Sequence, residues 1–254
     1  MTTQPHFLTI AGNGGEYRKI AYRSQTGAEK SPTILWLSGF RSRMTGEKAE
    51  ALAAFAEARG VSLLRFDYSG HGESSGGEDA GRISDWLAEA EAVAALVTPP
   101  LALVGSSMGA WIALLMAMRA PQSAAALVLI APAWNMTELI WSRMPEEARR
   151  AVMETGGVRL PSTYEAGGTL VTKALIEDGR RWLIGTDAAE IAAPVRIIHG
   201  MEDADVPYRH SLALMDLLRG DARLTLVRDA AHRMARPQDI ALMLASVSEF
   251  TPPA

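Results

Sequence analysis

Three polar side chains that lie far apart in the chain, Ser107, Asp203 and His232, have the types and positions that nucleophilic acyl transfer requires. A serine hydroxyl reacts poorly at neutral pH unless a base lies within hydrogen-bond reach and a carboxylate orients that base. Ser107 is the centre of Gly105-Ser-Ser-Met-Gly109, which lies between a short apolar run at 101–104 and a longer one. This context predicts a sharp turn from a buried strand into a buried helix, with the hydroxyl projecting outward. The alternative is a glycine-rich turn with an idle serine.

The base is expected to be His232, one of five histidines. It follows the last predicted strand on a short loop, and sites in parallel sheets form at the carboxyl ends of the strands. His71 lies in a glycine-rich loop, where a bond to the turn backbone is the favoured interpretation. His199 belongs to a strand end, where packing beneath the sheet edge is favoured. The other two, His6 and His210, fall in the N-terminal segment and on a predicted helix.

The orienting carboxylate is expected in the loop after the predicted strand 195–198, where Glu202, Asp203 and Asp205 follow one another. Asp203 is preferred because it lies nearer the strand end. Asp205 stays open as an alternative, although its place before Val206-Pro207 also suits the cap of the following helix. Glu202 is interpreted as a solvated side chain.

Strands and helices alternate along most of the chain, which predicts an α/β fold with a mostly parallel, twisted sheet and helices on both faces. Two alternating segments at 7–10 and 19–23, separated by Asn13-Gly14, predict an initial antiparallel hairpin. From 134 to about 190 the alternation stops, and the segments are amphipathic, helical and separated by glycine and proline. We therefore expect one domain over residues 1–254, with a helical cap inserted at about 134–190 that no strand interrupts.

The composition of the chain argues against several classes of function. The 254 residues carry a net charge of −4, which lacks the basic footprint of a nucleic-acid partner. There is no cysteine, so neither disulfides nor thiolate chemistry is available. The chain begins without the basic and apolar regions of a signal peptide, and its apolar runs fall short of a membrane span. We expect a cytoplasmic protein with no membrane span.

The motifs together resemble the α/β-hydrolase superfamily over nearly the whole chain. The resemblance rests on Gly105-Ser-Ser-Met-Gly109, on His199-Gly-x-x-Asp203-x-x-Val-Pro207 and on the late His232. The segment Asp67-Tyr-Ser-Gly-His-Gly-Glu-Ser74 resembles a loop that is structural in the family, so Asp67 and His71 are interpreted as scaffold. A closer likeness is to the mitochondrial α/β-hydrolase domain protein 10 group and its bacterial relatives, through segments such as 175–180 and 194–201. That group is known for acyl-protein thioesterase and acyl-glucuronide esterase activity.

This resemblance implies an oxyanion hole formed by two backbone amides, those of Met108 and Phe40. Arg41, and equally Arg43, is a candidate for contact with an anionic part of the substrate, or else a solvated side chain. Trp134 and Trp141 are candidates for lining an acyl pocket, together with Met136, Leu139, Ile140 and Met144, or else for packing the cap onto the body.

The expected function is hydrolysis of carboxylic esters or thioesters through an acyl-enzyme on Ser107. The substrate is expected to be a small molecule or an acyl-protein, with no nucleic acid, metal or other cofactor. Two alternatives stay open: a proline-iminopeptidase-like serine peptidase, with an acid among the cap glutamates, and a non-catalytic binding protein on a hydrolase fold. The physiological acyl donor, the oligomeric state and any movement of the cap do not follow from the sequence.

Overall fold

The computed structural model describes residues 4–12, 16–27, 31–98, 100–163, 166–185 and 191–252. Within them, ten strands and eight α-helices follow one another along the chain. In order these are β1 His6–Ala11, β2 Tyr17–Gln25, β3 Thr33–Leu37, α1 Glu47–Arg59, β4 Leu63–Phe66, α2 Ile83–Ala94, β5 Leu101–Ser106, α3 Met108–Arg119, β6 Ala124–Ile130, α4 Met136–Arg143, α5 Glu146–Thr155, β7 Gly157–Leu160, β8 Thr169–Thr172, α6 Lys173–Gly179, β9 Val195–Gly200, α7 Arg209–Leu217, β10 Ala222–Val227 and α8 Pro237–Ser248.

Eight of the strands form one sheet in the order β1-β2-β4-β3-β5-β6-β9-β10. Six neighbouring strands of this sheet pair in parallel: β4, β3, β5, β6, β9 and β10. β2 pairs antiparallel with both β1 and β4. The paired strands of the predicted first hairpin are therefore present, whereas its Asn13-Gly14 turn lies outside the described residues. Because all six parallel strands point the same way, their carboxyl ends meet at one edge of the sheet.

Alternate residues of the central strands bury opposite faces of this sheet. In β3, Leu35 and Leu37 belong to a core shared with α2 and α3, whereas Ile34 and Trp36 belong to a second core shared with α1 and α8. Strand side chains alternate between faces, so a strand that is apolar at every position needs helices on both sides. The predicted parallel sheet with helices on both faces is confirmed.

The segment between β6 and β9 is not purely helical, and the expectation that no strand interrupts it was wrong. It contains α4, α5 and α6, but β7 and β8 form a separate antiparallel pair between α5 and α6. Each strand has four residues, and Arg159 interrupts the apolar positions of β7, so neither reads as a buried apolar run. A small core of Met144, Val152, Val171 and Ile176 holds the helices and the pair together. We call the described part of this segment, 134–163 and 166–185, the cap segment; residues 164–165 and 186–190 of the predicted interval lie outside the description.

Among the described residues, no helix is both long and apolar enough to cross a bilayer.

Candidate functional site

Ser107 lies in a strained turn between β5 and α3. Its backbone has φ 55° and ψ −118°, outside the regions that a residue with a side chain normally adopts. Two backbone hydrogen bonds hold this conformation: the Ser107 amide donates to the carbonyl of Ile130 at 2.9 Å, and the amide of Ala133 donates to the Ser107 carbonyl at 3.1 Å. The turn directs the hydroxyl away from the sheet, and the positive end of α3 begins directly after it.

The two glycines that flank Ser107 are required by close backbone contacts. A Cβ at Gly105 would lie 2.5 Å from the carbonyl oxygen of Gly109, in the first turn of α3. A Cβ at Gly109 would overlap the carbonyl oxygen of Leu37 at the end of β3. A side chain at either position would therefore push the helix off the sheet.

The imidazole of His232 bridges Ser107 and Asp203. His232 Nε2 lies 3.0 Å from Ser107 Oγ, and His232 Nδ1 lies 2.7 Å from Asp203 Oδ2. The carboxylate acceptor places the proton on Nδ1, which leaves Nε2 as an acceptor that faces the hydroxyl. The structure thus brings together three predicted residues from the ends of β5, β9 and β10.

Asp203 is held as an ionised carboxylate. Its Oδ1 accepts hydrogen bonds from the amides of Asp205 at 2.9 Å and Val206 at 2.7 Å, and its Oδ2 faces His232 and also Nε2 of His199 at 3.0 Å. Burial opposes ionisation, but the hydrogen bonds from His199 and His232 and the amide of Val206 outweigh it and hold the pKa of Asp203 well below its usual range. Asp205, the alternative acid, therefore contributes its backbone amide to the support of Asp203.

The contact between His199 and Asp203 was not predicted from the sequence, which indicates only that His199 packs beneath the edge of the sheet. A signal was present, because His199 is a polar residue at the end of an apolar strand, four residues before an acid across a tight turn. A fully buried imidazole needs partners for its nitrogens, and the nearest polar loop in sequence is the one that holds Asp203.

The two predicted oxyanion donors, the amides of Met108 and Phe40, belong to segments next to Ser107. Met108 is the first residue of α3, so its amide has no acceptor within the helix. The loop after β3 approaches from the other side, since a Cβ at Gly39 would lie 3.3 Å from Cβ of Ser107. Among the hydrogen bonds found between described residues, the amide of Phe40 donates none. The role of the Phe40 and Met108 amides as oxyanion donors stays a prediction.

The loop that carries Phe40 rests on an aromatic cluster. The Phe40 ring lies 5.7 Å from Trp86 and 6.0 Å from His71, centroid to centroid. His71 Nδ1 lies 3.0 Å from the carbonyl oxygen of Ser69, and burial lowers the pKa of His71 to about 4, so the ring is neutral. Asp67 accepts hydrogen bonds from loop amides, including that of Met44 at 2.6 Å. Both predicted scaffold residues therefore hydrogen-bond to loop backbone.

A cavity of about 1040 Å³ opens above Ser107 and His232. One wall is apolar and comes largely from the cap segment: Met136, Leu139, Ile140, Met144 and Val171. Basic side chains from four parts of the chain also line it: Arg41, Arg43, Lys48, Arg143 and Arg233. The described carboxylates of the lining are Glu47 and Asp205, so positive charge prevails.

Arg41 lines this cavity, but its guanidinium is already engaged. It donates to the carbonyl and the carboxylate of Glu78, at 3.0 and 3.3 Å. The same carboxylate pairs with Arg159 of β7, so Glu78 joins the loop after β3 to the cap segment.

The two tryptophans predicted to line an acyl pocket do not line the cavity. Trp134 stacks on His210 of α7 with ring centroids 4.6 Å apart, and its indole donates to the His210 carbonyl at 3.0 Å. Trp141 packs in the core of the cap segment, with the guanidinium of Arg180 5.2 Å from its ring centroid. Trp134 thus connects the cap segment to α7, and Trp141 packs inside the cap segment. The cavity wall is formed by smaller aliphatic and methionine side chains.

A metal could find ligands in the described residues only at Asp203, Asp205 and His232, whose ligand atoms lie within 4.8 Å of one another. His232 and Asp203 already hydrogen-bond each other there, so an ion would have to replace that bond. The donor set therefore fits the serine arrangement better than a metal site.

The chain matches known proteins both by sequence and by structure. Residues 29–179 match the family model Hydrolase_4, described as Serine aminopeptidase, S33. The chain is 30% identical over 241 residues to human palmitoyl-protein thioesterase ABHD10, mitochondrial, covering 94% of this chain and 78% of that protein. A crystal structure from Agrobacterium vitis S4 superposes with a TM-score of 0.92 at 41% identity and covers 98% of both chains. Alpha/beta hydrolase domain-containing protein 10 from mouse superposes with a TM-score of 0.87 at 28% identity, covering 97% of this chain and 98% of the mouse chain.

Proposed function

The chain belongs to the α/β-hydrolases, in the family described as Serine aminopeptidase, S33, and is an ester or thioester hydrolase; we propose that it works through an acyl-enzyme on Ser107. The observation that carries this proposal is the imidazole of His232, held between the Ser107 hydroxyl and the ionised Asp203. Family membership supplies the reaction class, and this geometry supports the residues that perform it.

In the proposed acylation step, His232 Nε2 takes the proton of Ser107 as Oγ attacks the carbonyl carbon of the substrate. Negative charge moves to the carbonyl oxygen, where the amides of Met108 and Phe40 stabilise it. Asp203 stabilises the imidazolium and keeps its orientation. His232 then protonates the leaving alcohol or thiol, which departs and leaves the acyl group on Ser107.

Deacylation repeats these steps with water as the nucleophile. His232 removes a proton from the water as its oxygen attacks the acyl carbon, and returns a proton to Ser107 as the acid leaves. Each proton therefore passes through Nε2 of His232, the nitrogen that faces Ser107.

The proposed substrate class is an acyl ester or thioester with an apolar acyl chain. The relatives named palmitoyl-protein thioesterase point to this class, and the aliphatic and methionine wall from the cap segment offers apolar surface beside Ser107. We also propose that Arg43 contacts an anionic part of the substrate, since it lines the cavity while Arg41 beside it is held by Glu78. The acyl donor is proposed as a small molecule or an acyl-protein.

Peptidase activity is a second candidate because the family description names an aminopeptidase. Such an enzyme needs an acid that faces the free amine of its substrate. The candidate acids in the cap are Glu138, Glu146, Glu147 and Glu154. Glu138 pairs with Arg180, Glu146 pairs with Arg150, and none of these four candidates is among the described residues that line the cavity. The basic lining disfavours a cationic substrate. Cleavage of aminoacyl-naphthylamides at rates comparable with those of esters would favour the peptidase.

The test is the rate of p-nitrophenyl ester and acyl-thioester hydrolysis by Ser107→Ala. We expect kcat to fall by about 10³-fold or more, and Ser107→Ala/His232→Ala to lose little beyond that, because the residues act as a unit. A fluorophosphonate should label the wild type and not the variant. Hydrolysis by Ser107→Ala at the wild-type rate would refute the assignment, and labelling without turnover would favour the binding-protein alternative.

We also retain a cytoplasmic location as a proposal. The curated relatives include "mitochondrial" in their names, so the two locations compete. Fractionation of cells that express the full chain, with its hydrolase activity followed in each fraction, separates them.

A further inference from the structure

A second histidine contacts the carboxylate that orients His232. His199 is fully buried at the end of β9, and its Nε2 lies 3.0 Å from Asp203 Oδ2 and 2.9 Å from the carbonyl oxygen of Val206. Its Nδ1 lies 2.6 Å from Oγ of Ser211 in α7. The same Oδ2 atom therefore faces two imidazoles, one on the Ser107 side and one beneath the loop.

These partners determine where the proton of His199 lies. Asp203 Oδ2 and the Val206 carbonyl can only accept, so Nε2 must carry a proton and donate it. The Ser211 hydroxyl can donate to Nδ1, which lies 2.6 Å from its Oγ.

We propose that His199 is a positioning residue for the hydrolytic reaction: its Nε2–H holds Oδ2 of Asp203 against Nδ1 of His232 and tempers the basicity of that oxygen. The Asp205 and Val206 amides hold Oδ1, so His199 restrains the one oxygen that would otherwise contact His232 alone. This inference rests on the proposed function, because it concerns the acid of that mechanism.

The expected consequence is a shift in the protonation of His232. Without the His199 donor, Oδ2 carries more negative charge toward His232, and the imidazolium becomes easier to form. Other charged or titratable groups surround the cluster, and their contributions stay the same when only residue 199 changes: Asp205 in its own loop, His210 of α7, Arg143 of α4, Lys48 of α1, and Arg233 beside His232.

Two amide substitutions separate the two nitrogens of His199. His199→Gln places an N–H₂ group at the position of Nε2, where it can reach Asp203. His199→Asn places its amide at the position of Nδ1, where it can reach Ser211 and not Asp203. The pair matches in chemistry and differs in the contact that the proposal requires. The measurements are kcat, KM and the acid limb of kcat/KM against pH, normalised to active sites by fluorophosphonate titration, with the melting temperature of each variant.

For His199→Asn we expect kcat to fall by about 10- to 100-fold, the loss expected for one hydrogen bond to a charged group. KM should stay within about twofold, and the acid limb should move up by about half a pH unit or more. His199→Gln should restore both. Equal losses in the two variants with an unmoved acid limb would overturn the proposal and indicate a structural role.

A measurement on the wild-type protein can overturn the proposal even if the variants do not fold. Nitrogen-15 NMR of histidine-labelled protein should show a proton on Nε2 of His199. A ring protonated on Nδ1 alone would overturn the proposal, because Nε2 would then have no proton to donate to Asp203. A different result, full activity of Ser107→Ala, would refute the proposed function.

Discussion

Replacement of Asp203 by asparagine should move the proton of the neutral His232 imidazole from Nδ1 to Nε2. Oδ1 of Asp203 accepts two backbone amides, at 2.7 and 2.9 Å, and only an oxygen can take that place. The new NH₂ group must therefore occupy the position of Oδ2, where it faces Nδ1 of His232. Two donors cannot share that contact, so His232 moves its proton to Nε2 and loses the lone pair that faces Ser107. The new NH₂ group also meets Nε2–H of His199, which keeps the carbonyl oxygen of Val206 as its acceptor.

The size of the effect follows from this change. The variant keeps the shape of the site, the amides of the oxyanion hole and the cavity, but it lacks a base for Ser107. We expect kcat to fall by about 10⁴-fold, as in serine hydrolases in which the wrong tautomer is imposed. The assay is steady-state hydrolysis of a p-nitrophenyl ester, with the melting temperature and near-ultraviolet circular dichroism as checks that the variant is folded.

Asp205→Asn is the matched control, because it makes the same chemical change two residues away. Its backbone amide, which supports Asp203, is retained, so we expect kcat within a few-fold of the wild type. If Asp205→Asn lost activity and Asp203→Asn kept it within about tenfold, Asp205 would be the orienting acid. If both kept their activity, the reasoning about an orienting carboxylate would be refuted.

Three further predictions concern packing, ionisation and substrate choice. Gly109→Ala should lower the free energy of unfolding by about 3 kcal/mol, because its Cβ would overlap the carbonyl oxygen of Leu37. A Cβ at Gly185 meets no described residue within 4 Å, so Gly185→Ala should have little effect; calorimetry of both variants checks this, and equal melting temperatures would contradict it. Burial raises the pKa of Glu89 from 4.5 to about 7, so this group favours the folded state below about pH 4.5 and loses that contribution as the pH rises to about 7. Urea unfolding of Glu89→Gln should accordingly show a weaker fall in stability over that interval, and a slope equal to that of the wild type would count against the burial argument. Finally, kcat/KM should rise by about fourfold per methylene as the acyl chain lengthens from acetyl, until the apolar wall is filled, and a flat series would exclude an apolar acyl pocket.

Much of the fold was predictable because its signals are local. The apolar runs of β3, β5 and β6 are buried on both faces, and their lengths and boundaries are visible in the sequence. The turn at Ser107 was predictable for the same reason, since Gly105 and Gly109 lie within two residues of it. The convergence of Ser107, Asp203 and His232 followed from one rule, that loops at the carboxyl ends of parallel strands meet.

What the sequence did not predict depends on contacts between distant segments. β7 and β8 are stabilised by each other and by a small local core, and their residues carry no continuous apolar run. Trp134 and Trp141 are large and apolar, but only the fold shows that Trp134 packs on His210 and that Trp141 packs in the core of the cap segment. His199 was assigned to packing because a buried imidazole and a functional one have the same signature in a single sequence.

The backbone conformation of Ser107 has an evolutionary consequence. A left-handed, strained residue with a side chain costs of the order of 1–3 kcal/mol, which glycine would largely avoid. Selection for thermal robustness and selection for turnover therefore oppose each other at this one position. A descendant that kept the scaffold only as a receptor would be free to drift to glycine there and become more robust. In other chains with this fold, the residue at the position of Ser107 thus indicates whether catalysis was still under selection.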